Sequence, residues 1–398
     1  MDLTQVAATL RIRLDVLAAQ VLDLAWGHIP GYEPPRMRAE EYAAAVTPNL
    51  RAVVDRLAGL PLDDADTERA RQIGVNRALQ GVPLDAVVLS YRSAERVITD
   101  AFVDAAATLS ASQLTAGLRL IAAAFDDLAT ASIDAYRVTT EEVTAHYDRL
   151  AGDLVTGLIA GALRGEQINH LATSLGWDED VEDVRALALS TQSGADVTDV
   201  VALQRAVLAV LGTDRAGRIV SGSAEGCDVL LIPGELTDDL VRRLVVLLDE
   251  FAPLAPRLTV GRSVADLASA GASCRQALAA MQTVRRSAAS EHVVAYDAVL
   301  LDVLATADEE AAAALVDRYL RPLAGRPHLT ETVEALARCD LSISRTAEML
   351  YVHPNTVLYR LARVRDLTGA DPRRALDLFA FVAAIRANRV LEVMATPS

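Results

Sequence analysis

At 398 residues the chain is long enough for about two to four domains, each with its own core. Hydrophobic residues make up 52% and aromatics only 4%, and no run of about 18 apolar residues marks a membrane-spanning helix; the early Asp2 also fails the pattern of a secretory signal. A net charge of −16 argues against affinity for nucleic acid or anionic membrane over the whole surface, and leaves room for a local basic patch.

Residues 1–165 read as almost entirely helical. Helices are expected over 3–25, 38–57, 64–79 and 84–109, with a long fifth starting at Ser112 and running to Gly161. The breaks fall at Gly31, Pro34-Pro35, Gly59-Leu60-Pro61 and Gly81-Val82-Pro83. Short connections between helices of this length favour an antiparallel bundle. In the fifth helix Tyr136, Thr140, Val143, Tyr147, Leu150 and Leu154 recur at heptad-like spacing. That stripe suits either pairing of two subunits or packing on the helix's own bundle. The stretch RARQIGVNRALQGVPLDAVVLSYRSAERVI resembles the N-terminal bundle of RsbR-type stress-signalling proteins. The resemblance implies a sensory or protein-docking module, with a scaffold or dimerisation domain as the equal alternative.

Residues 166–296 change to a mixed α/β pattern. Strands are expected at 184–190, 218–221, 228–233, 257–261 and 293–296, with helices at 199–211, 236–251 and 264–287. The order suggests an antiparallel-cored α+β sheet with helices on one face. VGRSVADLASAGASCRQALAAM resembles the middle domain of PucR/CdaR regulators, which is similar in fold to nucleotidyl cyclases of the GGDEF type. A cyclase needs carboxylates for two Mg²⁺ and a glycine turn for the triphosphate. The corresponding stretch, Gly222 to Asp228, lacks the Gly-Gly-Asp/Glu-Glu-Phe run, and the first strand has no Asp. Glu225 and Asp228 read as turn residues, so no enzyme activity is expected. His28, His146, His170, His292, His328 and His353 are isolated, and Cys227, Cys274 and Cys339 are scattered without ligand spacing. No metal and no cofactor are expected, and the thiols fit a reducing cytoplasm.

Residues 297–398 return to helix, with segments expected at 298–304, 309–320 and 331–338, the last capped by Thr330. Within them, 341–369 reads LSISRTAEMLYVHPNTVLYRLARVRDLTG, two short helices joined by the turn Tyr351-Val352-His353. Pro354 suits the first position of the second helix and Gly369 suits its C-terminal cap. This is the pattern of a helix-turn-helix, whose second helix enters the DNA major groove. At about 100° per residue, Val357, Leu361 and Val364 fall on one side. Asn355, Thr356, Tyr359 and Arg363 fall on the other, with Arg360 at the edge. Such a face suits base edges and phosphates, and Ser344, Arg345 and Thr346 of the preceding helix are placed to hold the backbone. His353 is expected to cap the helix or touch phosphate. From Arg338 to Arg374 seven arginines face four acids, a net of +3 inside a chain of −16. A final helix opening at Asp371-Pro372 is expected to close over the reader with Leu376, Phe379, Val382, Ala383 and Ile385 as its apolar face.

The stretch TAEML-YVHPNTVLYRLARVRDLTGADPR resembles the C-terminal helix-turn-helix of the PucR/CdaR family, through Thr346-Ala347, Leu350, His353, Asn355-Thr356, Tyr359-Arg360-Leu361 and Leu367-Thr368-Gly369. Pro354 and Leu358 depart from it where Arg is common in the family. The fold class expected is mainly α with one α+β domain: a helical bundle over 1–165, a degenerate GGDEF-like domain over 166–296, and a helical DNA-binding domain over 297–398. The function the resemblance implies is a cytoplasmic, sequence-specific transcriptional regulator. It binds operator DNA as a homodimer or dimer of dimers and answers to an effector or protein partner at the N-terminal or middle domain. The alternative is an RsbR-like docking scaffold that reads no DNA.

Overall fold

The computed structural model describes residues 2–34, 36–177, 181–212, 219–285 and 291–395, with backbone only for 391–395. Packing divides the chain into two units, residues 1–146 and 147–398.

The first unit is a helical bundle: α1 (Leu3–Ile12), α2 (Leu14–Ala25), α3 (Ala39–Leu57), α4 (Asp64–Leu79), α5 (Leu84–Ala105) and the first part of α6 (Ala111–Ala160). The expected helix over 3–25 is two helices, interrupted at Arg13 (φ −97°, ψ 6°). The apolar stripe Val6, Leu10, Leu14, Leu17, Val21 is buried across the interruption, so periodicity gave no sign of it. Capping boxes start α1 (Asp2 with Gln5) and α4 (Asp63 with Asp66), each satisfying amide donors that the first turn leaves unpaired. Gly74 brings α4 against α6; a Cβ there would meet the Ser132 carbonyl oxygen at 1.9 Å.

The second unit begins with the end of α6, followed by α7 (Gly165–Ser174) and a five-stranded sheet. In chain order come β1 (Val184–Ser190), α8 (Val197–Gly212), β2 (Val220–Ala224), β3 (Cys227–Pro233), α9 (Asp238–Glu250), β4 (Arg257–Val260), α10 (Ala270–Arg285) and β5 (Val293–Ala295). The spatial order is β2-β3-β1-β4-β5, antiparallel except for the β4–β5 pair. The expected strand start at Arg218 and helix end at Ser287 lie outside the described residues. The helix expected from Val264 begins at Ala270, after a 3-10 turn at Leu267–Ser269.

The sheet is covered on both faces, which corrects the expectation of one. Val184, Ala186 and Ala188 join a core with α6, α7 and α10, whereas Leu187 and Leu189 join a second core with α8 and α9. A strand buried on both sides reads as an unbroken apolar run, and VRALALS is nearly that. The end of α6 lies close on the sheet because both partners are small: Gly222 of β2 has room for no Cβ, with Val155 Cβ at 2.9 Å and Gly152 Cα at 3.3 Å. Of the heptad-like stripe, Tyr136 packs on the first unit's core, Leu154 is buried in the second unit, and Val143 is exposed.

The chain closes with α11 (Leu300–Thr306), α12 (Glu309–Tyr319), α13 (Pro327–Arg338), α14 (Ile343–Met349), α15 (Pro354–Thr368) and α16 (Ala375–Ala395). They share a core of Leu323, Leu329, Val333, Leu336, Ala347, Val357, Leu361, Val364, Leu378, Phe381 and Ile385. Helix α13 starts at Pro327, not after Thr330, because proline in the first turn forfeits no helical hydrogen bond. Helix α16 starts at Ala375, not at Pro372; Asp371 instead folds back on Arg373, accepting from its backbone N at 3.1 Å and from Nε and Nη2 at 2.9 and 2.7 Å.

The inward face of α16 keeps Ile385 and, half-buried, Val382 from the expected face and otherwise differs from it. Leu378, Phe381, Ala384, Ile385 and Ala387 are buried, and Phe381 stacks edge-on against Tyr319 with centroids 5.1 Å apart. Leu376 and Phe379, expected inside, are 84% and 59% exposed.

Candidate nucleic-acid interface

Two left-handed residues, Asp340 (φ 50°) and Leu341 (φ 61°), turn the chain from α13 into α14. Ser342 caps α14 through its hydroxyl, which accepts from the Arg345 amide at 3.4 Å. The turn into α15 is built on Tyr351, again left-handed at φ 52°, where the Val352 N–H reaches back to the Ala347 carbonyl at 3.0 Å. That is a helix stop that ordinarily favours glycine. His353 then caps α15: its Nδ1 accepts from the Asn355 amide at 3.2 Å, leaving Nε2 to carry the ring proton. Gly369 ends the helix in the left-handed conformation at φ 75°, its N–H donating to the Arg365 carbonyl.

Helix α15 buries Val357, Leu361 and Val364 completely, on the face the spacing predicts. Asn355, Tyr359 and Arg363 are exposed on the other side, and Thr356 is half-buried beside them. Arg360 is half-buried, with Nη1 donating to the Thr332 hydroxyl of α13 at 3.3 Å. The α14 residues divide. Ser344 and Arg345 are exposed, but Arg345 Nη2 is held by Asp340 at 2.6 Å and by the Cys339 carbonyl at 2.7 Å, and the Asp340 hydrogen bond raises its pKa. Thr346 is wholly buried and its hydroxyl donates to the Ser342 carbonyl at 2.7 Å. It stabilises the start of α14 from inside, so its expected place on the outer face is corrected.

Electrostatics narrow the face further. Of the seven arginines between 338 and 374, four are paired with carboxylates: Arg338 with Glu334, Arg345 with Asp340, Arg365 with Asp366, and Arg373 with Asp371. Among the described residues the other three, Arg360, Arg363 and Arg374, have no carboxylate partner; Arg360 donates to Thr332, Arg374 lies beyond the end of α15, and Arg363 stands on the exposed face of α15. A guanidinium so placed retains its fork of donors for an external acceptor, such as guanine O6 and N7 or a phosphate. Two exposed side chains were missed by the sequence reading. Tyr351, 96% exposed, sits at the turn, where its φ marks it out. Leu358, 41% exposed, lies one turn from Asn355 and offers apolar contact of the kind a thymine methyl accepts.

The PucR C-terminal helix-turn-helix domain matches over residues 329–387, which spans α13 to α16. The C-terminal helices are thus similar to a PucR-type helix-turn-helix domain. The rest of the chain matches two further domains: the N-terminal domain of the RsbT co-antagonist protein RsbRD over residues 15–151, and a GGDEF-like domain over 160–283. Uncharacterised proteins of Mycobacterium tuberculosis and Mycobacterium bovis are 28% identical over 267 residues, covering 64% of this chain and 61% of their own length. The chain thus spans about three fifths of the length of these relatives. The transcriptional activator PmfR of Paenarthrobacter nicotinovorans is 38% identical over 88 residues, 21% of this chain and 19% of that protein. A crystal structure of a regulator of polyketide synthase expression from Bifidobacterium adolescentis matches with a TM-score of 0.33 and 20% identity, covering 61% of this chain and 93% of that one.

The GGDEF-like domain places Glu225 (φ 52°) and Gly226 (φ 68°) as a two-residue hairpin turn between β2 and β3. Glu225 accepts from Gln282 at 2.7 Å. Asp228 lies not in the turn but in β3, where Gln204 donates to it at 2.5 Å and Ser223 at 3.5 Å. It lines a cavity of about 440 Å³ with Asp148 of α6 and Ser221. Among the described residues no group of three or more His, Cys, Asp or Glu is placed to hold a metal ion. No helix among them is long and apolar enough to cross a membrane.

Proposed function

We propose that the protein is a sequence-specific DNA-binding regulator in which the outer face of α15 reads base edges. The residues assigned to that contact are Asn355, Thr356, Tyr359, Arg360 and Arg363, with Ser344, Arg345 and His353 on the phosphates. The observation that carries the reading is the exposed polar face of α15 with Arg363 unpaired by any described carboxylate, inside a domain whose other exposed arginines are largely neutralised. Asn suits bidentate pairing with adenine and Arg with guanine.

One recognition helix covers only a few base pairs, so the reader acts in pairs, on half-sites about one helical turn apart. A second copy of this chain is the partner assigned to the outer face of α16. There Phe379 stands exposed beside Leu301 and Leu304 of α11 around an apolar cleft of about 260 Å³, and Leu376 is exposed on the same helix. An apolar patch of this kind on a soluble protein marks a contact surface. The division proposed is a sensory bundle over 1–165, a non-catalytic GGDEF-like domain over 166–296 and the reader over 297–398. An effector or partner acts on the first two, and α6, which carries residues of both units, transmits the change. DNA selection from random sequence with the full-length protein tests the reading. Enrichment of a motif with two half-sites supports it; recovery of unselected sequence sinks it. Incubation with GTP or ATP and Mg²⁺ is expected to give no cyclic product.

A second reading is a protein-docking scaffold, favoured by the RsbRD match over residues 15–151. It is distinguished by the same selection, because a scaffold enriches nothing.

A further inference from the structure

The first unit contains a polar interior that its fold does not need. Tyr32, Tyr42, Asn49, Arg77, Ser90 and Tyr91 line a cavity of about 30 Å³ between α3, α4 and α5. Arg77 is 2% exposed and Asn49 8%. The Arg77 guanidinium donates through Nη1 to Gln80 at 2.7 Å and lies 3.5 Å from Glu41, a carboxylate at the surface. Its Cζ stands 5.7 Å from the Tyr32 ring centre. The Tyr42 hydroxyl meets Ser90 Oγ at 2.8 Å, and Asn49 Nδ2 donates to the Tyr91 hydroxyl at 3.4 Å. Two atoms remain without a partner: the donor Arg77 Nε and the acceptor Asn49 Oδ1. An unpaired buried polar group costs about 1–3 kcal/mol, more when charged, so native interiors rarely leave two in one place.

The lining specifies what fits. Its polar half supplies one cationic donor, three phenols, a serine hydroxyl and the Asn49 amide and includes no carboxylate; its other half is apolar, from Ala45, Val46, Leu50, Ile73, Ala94 and Phe125. Burial raises the pKa values of Tyr32, Tyr42 and Tyr91, which keeps them as O–H donors at neutral pH. A donor-rich pocket with one buried cation suits an anion. A water needs roughly 10–15 Å³ of such space, so the cavity takes about two or three non-hydrogen atoms.

We propose that this pocket is a binding site for a small planar carboxylate of the size of formate, held by Arg77 Nε and the tyrosine hydroxyls. The proposal names a ligand class for the effector control proposed above and rests on that reading for its consequence, not for the binding. Binding is therefore measured without DNA. The full-length protein is titrated by calorimetry and thermal unfolding with formate, acetate, nitrate and bicarbonate, against chloride at equal ionic strength. Formate should bind and raise the unfolding temperature, and the three larger anions should bind more weakly. Arg77→Gln should weaken that binding tenfold or more, and Arg363→Ala should leave it unchanged. If Arg77→Gln does not fold, Tyr91→Phe takes its place with a smaller loss expected, and a crystal grown with the ligand should show it on Arg77 Nε. Equal behaviour in all four anions and chloride, binding undiminished by the pocket variants, or density for ordered water alone would overturn the site. If an anion binds here and operator affinity does not respond, the site stands and the effector reading falls.

Discussion

Helices α15 and α16 lie against one core and use their outer faces differently. α15 turns outward a row of hydrogen-bonding side chains, Asn355, Tyr359 and Arg363; α16 turns outward Leu376 and Phe379. The inner faces do the same work, Val357, Leu361 and Val364 on one helix and Leu378, Phe381 and Ile385 on the other. A polar outer face is satisfied by water and suits a polar partner such as DNA. An apolar outer face stays costly until something apolar covers it.

The largest test of this contrast is between inner and outer leucines. Leu361→Ala should destabilise the C-terminal helices by about 2–5 kcal/mol, because it opens a cavity in a closed core. Leu376→Ala should change stability by no more than about 0.5 kcal/mol, as most surface substitutions do. Denaturant unfolding of the two variants checks this. A comparable loss at Leu376 would mean that its face is covered within the monomer. Phe379→Asp should leave the fold intact and shift sedimentation toward the monomer, and an unchanged oligomeric state would remove α16 from the interface.

His353→Ala sharpens the comparison at the start of α15. Loss of the cap should cost about 0.5–2 kcal/mol, and His353→Asp, which also caps, should restore most of it. A smaller effect belongs to the turn into α16. The Arg373 side chain, hydrogen-bonded to Asp371, holds that carboxyl down at about 2, against about 3.9 in an unfolded chain. The stability it contributes is present above pH of about 4 and is lost as pH falls toward about 2. Asp371→Asn should flatten that part of the pH–stability curve, and an unaltered acid slope would contradict the pairing.

The two helices also show what a sequence makes legible. On α15 apolar and polar residues are cleanly separated, so the helical period identifies the buried face. On α16, LDLFAFVAAIRANRV is apolar almost all round, and period alone does not choose between the Leu376/Phe379 and Leu378/Phe381 sides. The domain order and the helix-turn-helix were legible because turns and caps marked them: Pro354 at the first position of α15, His353 before it and Gly369 after it. Thr346 was not, because a hydroxyl that satisfies itself on the carbonyl four residues back packs like an apolar side chain. Neither was the second covered face of the sheet, which depends on which helices return to it. The pocket around Arg77 was also hidden, since Tyr32, Asn49 and Tyr91 lie far apart in the chain and meet only in the folded bundle.

The most direct measurement is fluorescence anisotropy of the full-length protein on a selected site and on random DNA, over a salt series, for wild type, Arg363→Ala and Asn355→Ala. The account predicts that each variant loses about 1–3 kcal/mol on the selected site and much less on random DNA. Equal losses on both DNAs, or none on either, would contradict the claim that the outer face of α15 reads sequence.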